Sequence, residues 1–217
     1  MASDAPRQTG KGSWSEAIRD ARRERIVAAA ARVFDDEGLD GASMRRIAAA
    51  AGCTTGAIYP LFKSKEEIYA ELLRRSLGEL ADRLDGAGVG LESPAERVRA
   101  RAVCALEYYL ERPSEFALSF YLSAGLKRKG VGSDLNEVLN RQLVELDAFG
   151  RGDVAACVGD DGADLESSAL FGHMTGLLVL QLRGRFSLFA GDARTLLDRY
   201  LDARFPTGPS PTGPSPT

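Results

Sequence analysis

The stretch Ser43–Phe62, "SMRRIAAAAGCTTGAIYPLF", decides the fold because it encodes a short helix, a tight turn and a second short helix. Serine is a preferred N-cap, so Ser43 predicts a helix start. Glycine commonly ends helices in a left-handed conformation, so Gly52 predicts the stop. Between them, apolar residues recur at the spacing of one helix face, at Met44, Ile47, Ala48 and Ala51. The first helix of the pair is therefore about two turns long.

The residues after Gly52 predict a second helix with a small, polar outer face. Thr54 is suited to cap this helix. Ile58, Leu61 and Phe62 would point inward, which leaves outside the side chains of Thr55, Gly56 and Tyr59. Pro60 has no main-chain N–H, so the helix is expected to kink or end there. A slender helix of this kind fits the DNA major groove, which is about 12 Å wide.

The flanking sequence predicts further helices and no strands. Apolar spacing favours a helix over residues 23–37 with a stop at Gly38, and "SKEE" at Ser64–Glu67 is a capping box that opens a longer helix to about Leu84. Beyond this exit helix, helical patterns continue over residues 93–113, 116–121, 134–149, 164–182 and 193–205. No alternating apolar pattern competes with them. The sequence predicts an all-α protein.

Composition excludes several classes of protein. The chain has 217 residues, a net charge of −3, three cysteines and one histidine. Three widely spaced cysteines favour reduced thiols over disulfides, and a single histidine argues against a zinc site. No Cys–His arrangement or phosphate-binding glycine loop indicates an enzyme. The N-terminus lacks the apolar segment of a secretory signal, so we expect a cytoplasmic protein without membrane contact, metal or organic cofactor.

The stretch "SMRRIAAAAGCTTGAIYPLFKSKEEIY", preceded by "RIVAAAARVFDDEGLDGAS", resembles the N-terminal domain of the TetR family of transcriptional regulators. The resemblance covers about residues 23–75. It implies an all-α homodimer in which a three-helix DNA-binding domain with a helix-turn-helix is linked to a larger ligand-binding and dimerisation domain. Such a protein represses transcription until a small effector weakens its hold on a palindromic double-stranded DNA operator.

Four segments follow from this resemblance and from the helical patterns. Residues 1–22 are expected to be a flexible N-terminal arm, and residues 23–66 the DNA-binding domain. Residues 67–205 would form the ligand-binding and dimerisation domain. Residues 206–217, two copies of "TGPSP" and a threonine, are expected to be disordered. The arginines at 19, 22, 23 and 25 fit either a solvated helix start or an arm in the minor groove.

Nine residues are predicted to bind DNA. The resemblance places Ser43 at the phosphate backbone and Lys65 at a phosphate near the start of the exit helix. It assigns the recognition element to Thr54, Thr55, Gly56 and Tyr59. Exposed helical phase adds the basic residues Arg45 and Arg46, and Lys63 completes the set. Hydroxyl and cationic groups of these types are suitable partners for phosphate oxygens.

The larger domain would bind an apolar or aromatic effector, so its aromatic and isolated polar residues are the candidates. The predicted ligand-binding residues are Cys104, Tyr108, Tyr109, Phe116, Phe120, Tyr121, His173, Met174 and Leu177. An aromatic stripe at helical spacing is more often part of a core, and His173 also fits a dimer seam.

The resemblance places the dimer interface at about residues 164–204, and the apolarity of residues 164–182 on more than one face favours the same assignment. One alternative function remains open. Because Pro60 interrupts the recognition helix, the chain could be a helical small-molecule sensor or carrier whose DNA-binding element has decayed.

Overall fold

The computed structural model of the chain describes residues 10–119, 150–207 and the single positions 137, 141 and 144. These residues are helices and connecting turns without a strand, which confirms the predicted all-α class. They fall into two compact units, residues 10–73 and residues 74–207. Within the described part of the chain, no helix has the length and apolarity needed to cross a bilayer.

The helices of the first unit are α1 (Gly10–Gly41), α2 (Met44–Ala50), α3 (Thr55–Ile58) and the start of α4 (Lys65–Ala87). The second unit contains the rest of α4, then α5 (Pro94–Glu111), α6 (Pro113–Ser119), α7 (Arg151–Val158), α8 (Asp160–Leu182), a 3-10 helix (Arg185–Leu188) and α9 (Ala193–Arg204). Most of these elements lie where the helical spacing predicted them.

Helix α1 begins earlier than predicted. The expected flexible arm over residues 1–22 is wrong from Gly10 onward, because residues 10–22 already form the first turns of α1. Residues 14–22 are exposed and lack the buried apolar positions that helical spacing would reveal, and burial begins at Ile26. Near the other end, Gly38 adopts a φ of 67° and interrupts the helix, as its position predicted.

The core of the first unit joins α1 to the other three helices. Its fully buried side chains include Ile26, Phe34, Ile47, Ile58, Phe62 and Ile68. Phe34 meets Tyr69 edge to face, with ring centroids 5.4 Å apart. Arg23 lies over the ring of Phe62, with its guanidinium carbon 4.3 Å from the centroid, and pairs with Glu71. These contacts fix the segment after α3 against α1 and α4.

Contacts with helix α9 show the relative directions of α5 and α8 in the second unit. On α5, Arg99 pairs with Asp198 and Glu107 pairs with Arg194, so α5 and α9 are antiparallel. On α8, Glu166 pairs with Arg204, while His173, seven residues further along, stacks on Tyr200. Helices α8 and α9 are therefore also antiparallel, and α5 and α8 run in the same direction.

Helix α7 was not predicted. Its boundaries are Gly150 and Gly159, which adopt φ values of 88° and 87°, and the sequence between them has no one-sided apolar pattern.

The two units divide after Leu73, seven residues beyond the predicted boundary at residue 66.

Two predicted segments lie largely outside the described residues. Of the predicted helix 134–149, positions 137, 141 and 144 are described, and all three are helical. Of the predicted disordered tail, residues 206 and 207 are described, and the remainder lies outside the described residues.

Candidate DNA-binding site and ligand cavity

Helices α2 and α3 are joined by a turn that main-chain and capping hydrogen bonds define. The Ser43 side chain accepts a hydrogen bond from the N–H of Arg46 at 3.3 Å and caps α2. Gly52 follows with a φ of 63°, and the N–H of Cys53 donates to the carbonyl of Ala48 at 3.0 Å. The predicted helix-turn-helix geometry is present in this unit.

Helix α3 separates a buried side from an exposed one. Ile58 is fully buried, whereas Tyr59 is 53% exposed and both Thr54 and Gly56 are also exposed. A Cβ at Gly56 would meet only the Thr54 hydroxyl, at 3.9 Å, so the surface there is open to a close partner. Thr55 is half-buried at the helix start. The small, polar outer face predicted from the sequence is therefore formed.

Pro60 follows the end of α3 and does not kink it. The helix ends at Ile58, whose carbonyl accepts from the N–H groups of Leu61 at 2.8 Å and Phe62 at 3.0 Å. Pro60 therefore lies in the turn after α3, so the main-chain N–H that it lacks is not one from within the helix.

The basic residues around α2 and α3 differ in their contacts. Arg45, Arg46 and Lys63 are exposed, and Arg46 pairs with Glu37 at 2.6 Å. Lys65 is half-buried, and its ammonium donates to the carbonyl oxygens of Leu39 at 2.7 Å and Ala42 at 3.0 Å. Two of its three donors thus hold the loop between α1 and α2, a structural role that sequence reasoning missed.

Comparison with known proteins agrees with this geometry. The family model described as "Bacterial regulatory proteins, tetR family" matches residues 26–72, which include α2, α3 and the buried part of α1. Residues 26–72 therefore carry the N-terminal DNA-binding domain of the TetR family. It is 30% identical over 118 residues to the HTH-type transcriptional repressor KstR2 of Mycolicibacterium smegmatis. That alignment covers 54% of this chain and 53% of KstR2, so the chain spans about half the length of this curated relative.

Two solved structures share the fold over a larger part of the chain. The regulator FadR from Bacillus subtilis, in complex with stearoyl-CoA, has a TM-score of 0.68 at 17% identity and covers 84% of this chain and 97% of its own. AibR, in complex with isovaleryl coenzyme A and operator DNA, has a TM-score of 0.64 at 16% identity and covers 85% and 98%. At these identities the comparison establishes the fold alone.

The second unit contains a cavity of about 100 Å³ between α4, α5, α7 and α8. Its wall is largely apolar and includes Leu80, Leu84, Val98, Ala102, Ala105, Val154, Leu170 and Phe171. Two predicted ligand-binding residues, Tyr109 and Met174, line it. Arg101 and Ser167 also line it and were not among the predicted residues.

The other predicted ligand-binding residues that the structure describes are absent from this cavity wall. Leu177 and Phe116 are buried in the core, where Phe116 packs edge to face on Tyr109 with centroids 5.4 Å apart. Cys104 is half-buried, and burial raises the pKa of its thiol. Phe120 and Tyr121 lie outside the described residues.

Tyr108, also predicted to bind ligand, instead joins three helices. Its hydroxyl donates to the Glu115 carboxylate of α6 at 2.5 Å and lies 3.0 Å from the carbonyl oxygen of Ser76 in α4. Arg83 and Arg112 have their guanidinium carbons 5.1 Å and 4.7 Å from the ring centroid. Burial, followed by the bond to Glu115, raises the Tyr108 pKa, so the hydroxyl keeps its proton and remains a donor.

His173 belongs to a cluster between α8 and α9. Its ring stacks on Tyr200 with centroids 4.5 Å apart, and the Tyr200 hydroxyl donates to Glu166 at 2.8 Å. Burial, followed by the bond to Glu166, raises the Tyr200 pKa to about 12. The hydrogen bond from Arg204 holds the Glu166 pKa below its usual value. His173 thus packs between helices and does not line the cavity.

Asp153 of α7 forms an ionic cluster with two arginines of α5. Arg97 Nε donates to its carboxylate at 2.8 Å, and Arg101 pairs with the other oxygen. Burial alone would raise the Asp153 pKa, but the hydrogen bonds from Arg97 and Arg101 outweigh burial and lower it. Arg101 also packs closely on Gly88 and Gly150, where an added Cβ would lie 2.9 Å and 3.3 Å from its guanidinium nitrogens. This cluster fixes α7 on α5 beside the cavity.

Proposed function

We propose that this protein is a ligand-responsive DNA-binding transcriptional regulator, most simply a repressor that binds a palindromic operator as a homodimer. The observation that carries the proposal is that α3 has an exposed face. Thr54, Gly56 and Tyr59 lie on this face, whereas Ile58, on the opposite side, is fully buried. The family match of residues 26–72 and the name of KstR2 as a repressor support it.

The proposed DNA contacts divide into two groups. Thr54, Thr55, Gly56 and Tyr59 would approach the groove and the adjoining phosphates, while Ser43 and the exposed cations Arg45, Arg46 and Lys63 would bind the backbone. Lys65 is proposed to act mainly through the loop that it holds, with one donor remaining for a phosphate.

The exposed face of α8 supports the proposed homodimer. Leu165 is 78% exposed, and Ala169, Gly172 and Gly176 follow on the same face with exposed positions. Added Cβ atoms at both glycines would meet no neighbouring atom within 4 Å, so a second helix could approach this surface closely. An apolar face of this kind is well suited to an isologous contact with a second copy of the chain.

The cavity supports the proposed response to a small, largely apolar molecule. FadR and AibR are solved with acyl-CoA ligands, which favours an effector of related chemistry for this chain. Helix α4 contains residues of both units, so an effector that prefers one conformation of the second unit would shift the population that binds DNA. A ligand without such a preference would change nothing.

The test is a selection of DNA fragments by the purified protein at two salt concentrations, followed by sequencing. A shared inverted repeat whose recovery falls steeply with salt is the expected result, because each phosphate contact releases counterions. A carrier with a decayed DNA-binding element would retain no fragment above background at either salt concentration. That outcome would contradict the proposal.

A further inference from the structure

The outer face of α8 carries opposite charges at its two ends. Asp161 lies in the first turn of the helix, Arg183 directly follows its last residue, and both are exposed. At 100° per residue, the two positions lie within about 40° of each other around the helix axis. Within the described part of the chain neither side chain has an ion pair, whereas the neighbouring Asp160 and Asp164 pair with Arg151.

Between these charges the same face is apolar or small. Leu165 is 78% exposed, Gly172 is exposed and Val179 is half-buried. The opposite face of α8 packs into the second unit, where Leu177 and Leu178 are buried. The outer face is therefore the one that is available to another molecule.

The pattern on this face is symmetric about Gly172. Asp161 and Arg183 each lie 11 residues from it, and Leu165 and Val179 each lie seven residues from it. Two copies of α8 that pack antiparallel about an axis at Gly172 would therefore place Asp161 against the partner's Arg183 at both ends. The same packing would place Leu165 on the partner's Val179.

Electrostatics favours this direction over the parallel one. Parallel packing about a twofold axis would place Asp161 beside the partner's Asp161 and Arg183 beside the partner's Arg183, and like charges at an interface are strongly unfavourable. Antiparallel packing also brings the positive N-terminal end of each helix dipole near the negative C-terminal end of the other.

The face also permits the close approach that both ion pairs require. An added Cβ at Gly172 would meet no neighbouring atom within 4 Å, so the helices can pack closely at the axis. Each ion pair would lie about 16 Å from that axis along the helix. The long side chain of Arg183 can span the gap that opens there when the helices cross at about 20°.

We propose that a second copy of the chain packs its α8 antiparallel on this face, with the twofold axis at Gly172 and an ion pair between Asp161 and the partner's Arg183 at each end. The inference rests on the proposed function, in which the protein is a homodimer. It adds the direction and the register of the two helices and the residues that pair across the interface.

Charge reversal tests the ion pairs. Asp161→Arg and Arg183→Asp each create like-charge contacts at both ends, so each should raise the dimer dissociation constant at least about tenfold. The double variant restores opposite charges and should return the constant to within about threefold of the wild type. Asp85→Arg, the same change at an exposed position of α4, is the matched control and should leave it unchanged. Sedimentation velocity over a dilution series of the full chain measures the constant, and circular dichroism checks the fold.

Cysteine cross-linking tests the register. Gly172→Cys should form a disulfide with its own copy under copper phenanthroline, because a residue at the axis faces itself. The copies of Gly176→Cys should lie about 12 Å apart along the helices, beyond the reach of a disulfide. Both glycines are exposed and have room for a Cβ, so the second variant is a matched control for the first. The wild type, with three half-buried cysteines, gives the background on a non-reducing gel.

The outcomes separate this arrangement from the homodimer itself. A dimer that tolerates both single charge reversals, or whose double variant is as weak as the single ones, overturns the ion pairs. Cross-linking of Gly176→Cys as readily as Gly172→Cys overturns the antiparallel register. In these cases the homodimer stands, whereas a monomeric wild type overturns both. DNA binding is measured separately, so its failure is distinguishable from failure here.

Discussion

The ammonium nitrogen of Lys65 lies 2.7 Å from the main-chain carbonyl oxygen of Leu39, and this hydrogen bond joins the start of α4 to the end of α1. A second bond, to the carbonyl of Ala42 at 3.0 Å, holds the residue that precedes the N-cap of α2. The position of α2 therefore depends on a lysine that follows Ala42 by 23 residues.

Replacing Lys65 by methionine should destabilise the first unit. The change keeps much of the side-chain volume but leaves two part-buried carbonyls without their donor, at a cost of about 1–2 kcal/mol. Chemical denaturation measures the loss. Lys63→Met, at an exposed position, is the matched control and should change the unfolding free energy by less than about 0.5 kcal/mol. Equal unfolding free energies of the Lys65→Met and Lys63→Met variants would contradict the structural role of Lys65.

Replacing Tyr59 by alanine should weaken DNA binding and leave the fold intact. The side chain is 53% exposed, and its hydroxyl is available to a phosphate. Loss of a hydrogen bond to a charged group, about 1.5 kcal/mol, corresponds to about tenfold in affinity. Fluorescence anisotropy with a selected operator measures the change, with thermal unfolding as the control for the fold. Unchanged affinity would remove Tyr59 from the proposed site.

Replacing Tyr108 by phenylalanine should loosen the contact between α4, α5 and α6. The ring and its two flanking arginines remain, but Ser76 and Glu115 lose the hydroxyl that lies between them. The expected cost is about 1–2 kcal/mol of unfolding free energy. Tyr109→Phe is the comparison variant. It removes the hydroxyl of the adjacent tyrosine, which contacts Ser119 and does not join Ser76 to Glu115. A Tyr108→Phe variant as stable as the wild type would show that the hydroxyl contributes no net stability.

The Glu166–Arg204 pair should make stability depend on acid pH. The folded-state pKa of Glu166 is lowered, chiefly by the hydrogen bond from Arg204, so its contribution is complete above the unfolded pKa and is lost as pH falls through the folded pKa. The difference in unfolding free energy between the wild type and Glu166→Gln should therefore be largest above the unfolded pKa of about 4.5 and should shrink as the pH falls below that value. Denaturation at each pH measures it, and a constant difference would contradict the linkage.

Replacing Ala169 by arginine should convert the proposed dimer to a monomer. The residue lies on the exposed face of α8, where a buried, unpaired charge at an interface is strongly unfavourable. Sedimentation velocity measures the mass. Val89→Arg introduces the same side chain at a site that is 79% exposed outside this face, and it should stay dimeric. A dimeric Ala169→Arg variant would place the interface elsewhere.

Helices with one apolar face were predictable from the sequence, and those without one were not. Residues 44–50 and 193–204 carry caps and one-sided apolar spacing, and both form helices where expected. By contrast, α7 is eight residues between two glycines with no apolar side. The start of α1 was missed for the same physical reason, since residues 14–22 are exposed on all sides.

The candidate sites were predictable to different degrees. The outer face of α3 follows directly from the phase of Ile58, because a four-residue helix leaves few choices. Whether an aromatic residue lines a cavity depends on neighbours distant in sequence. Tyr108 and Tyr109 are adjacent, yet Tyr109 lines the cavity and Tyr108 bonds to Glu115 and Ser76. Lys65 was assigned to phosphate because its carbonyl partners are more than 20 residues away.

In helix α3, the residue that packs in the core and the residues that form the exposed surface are different. Ile58 supplies the fully buried contact, and Thr54, Gly56 and Tyr59 are exposed around it. Substitutions at the exposed positions would therefore change few folding contacts. If the proposed function holds, duplicated copies of such a chain would acquire different DNA sequence preferences by drift at these positions while retaining the same scaffold.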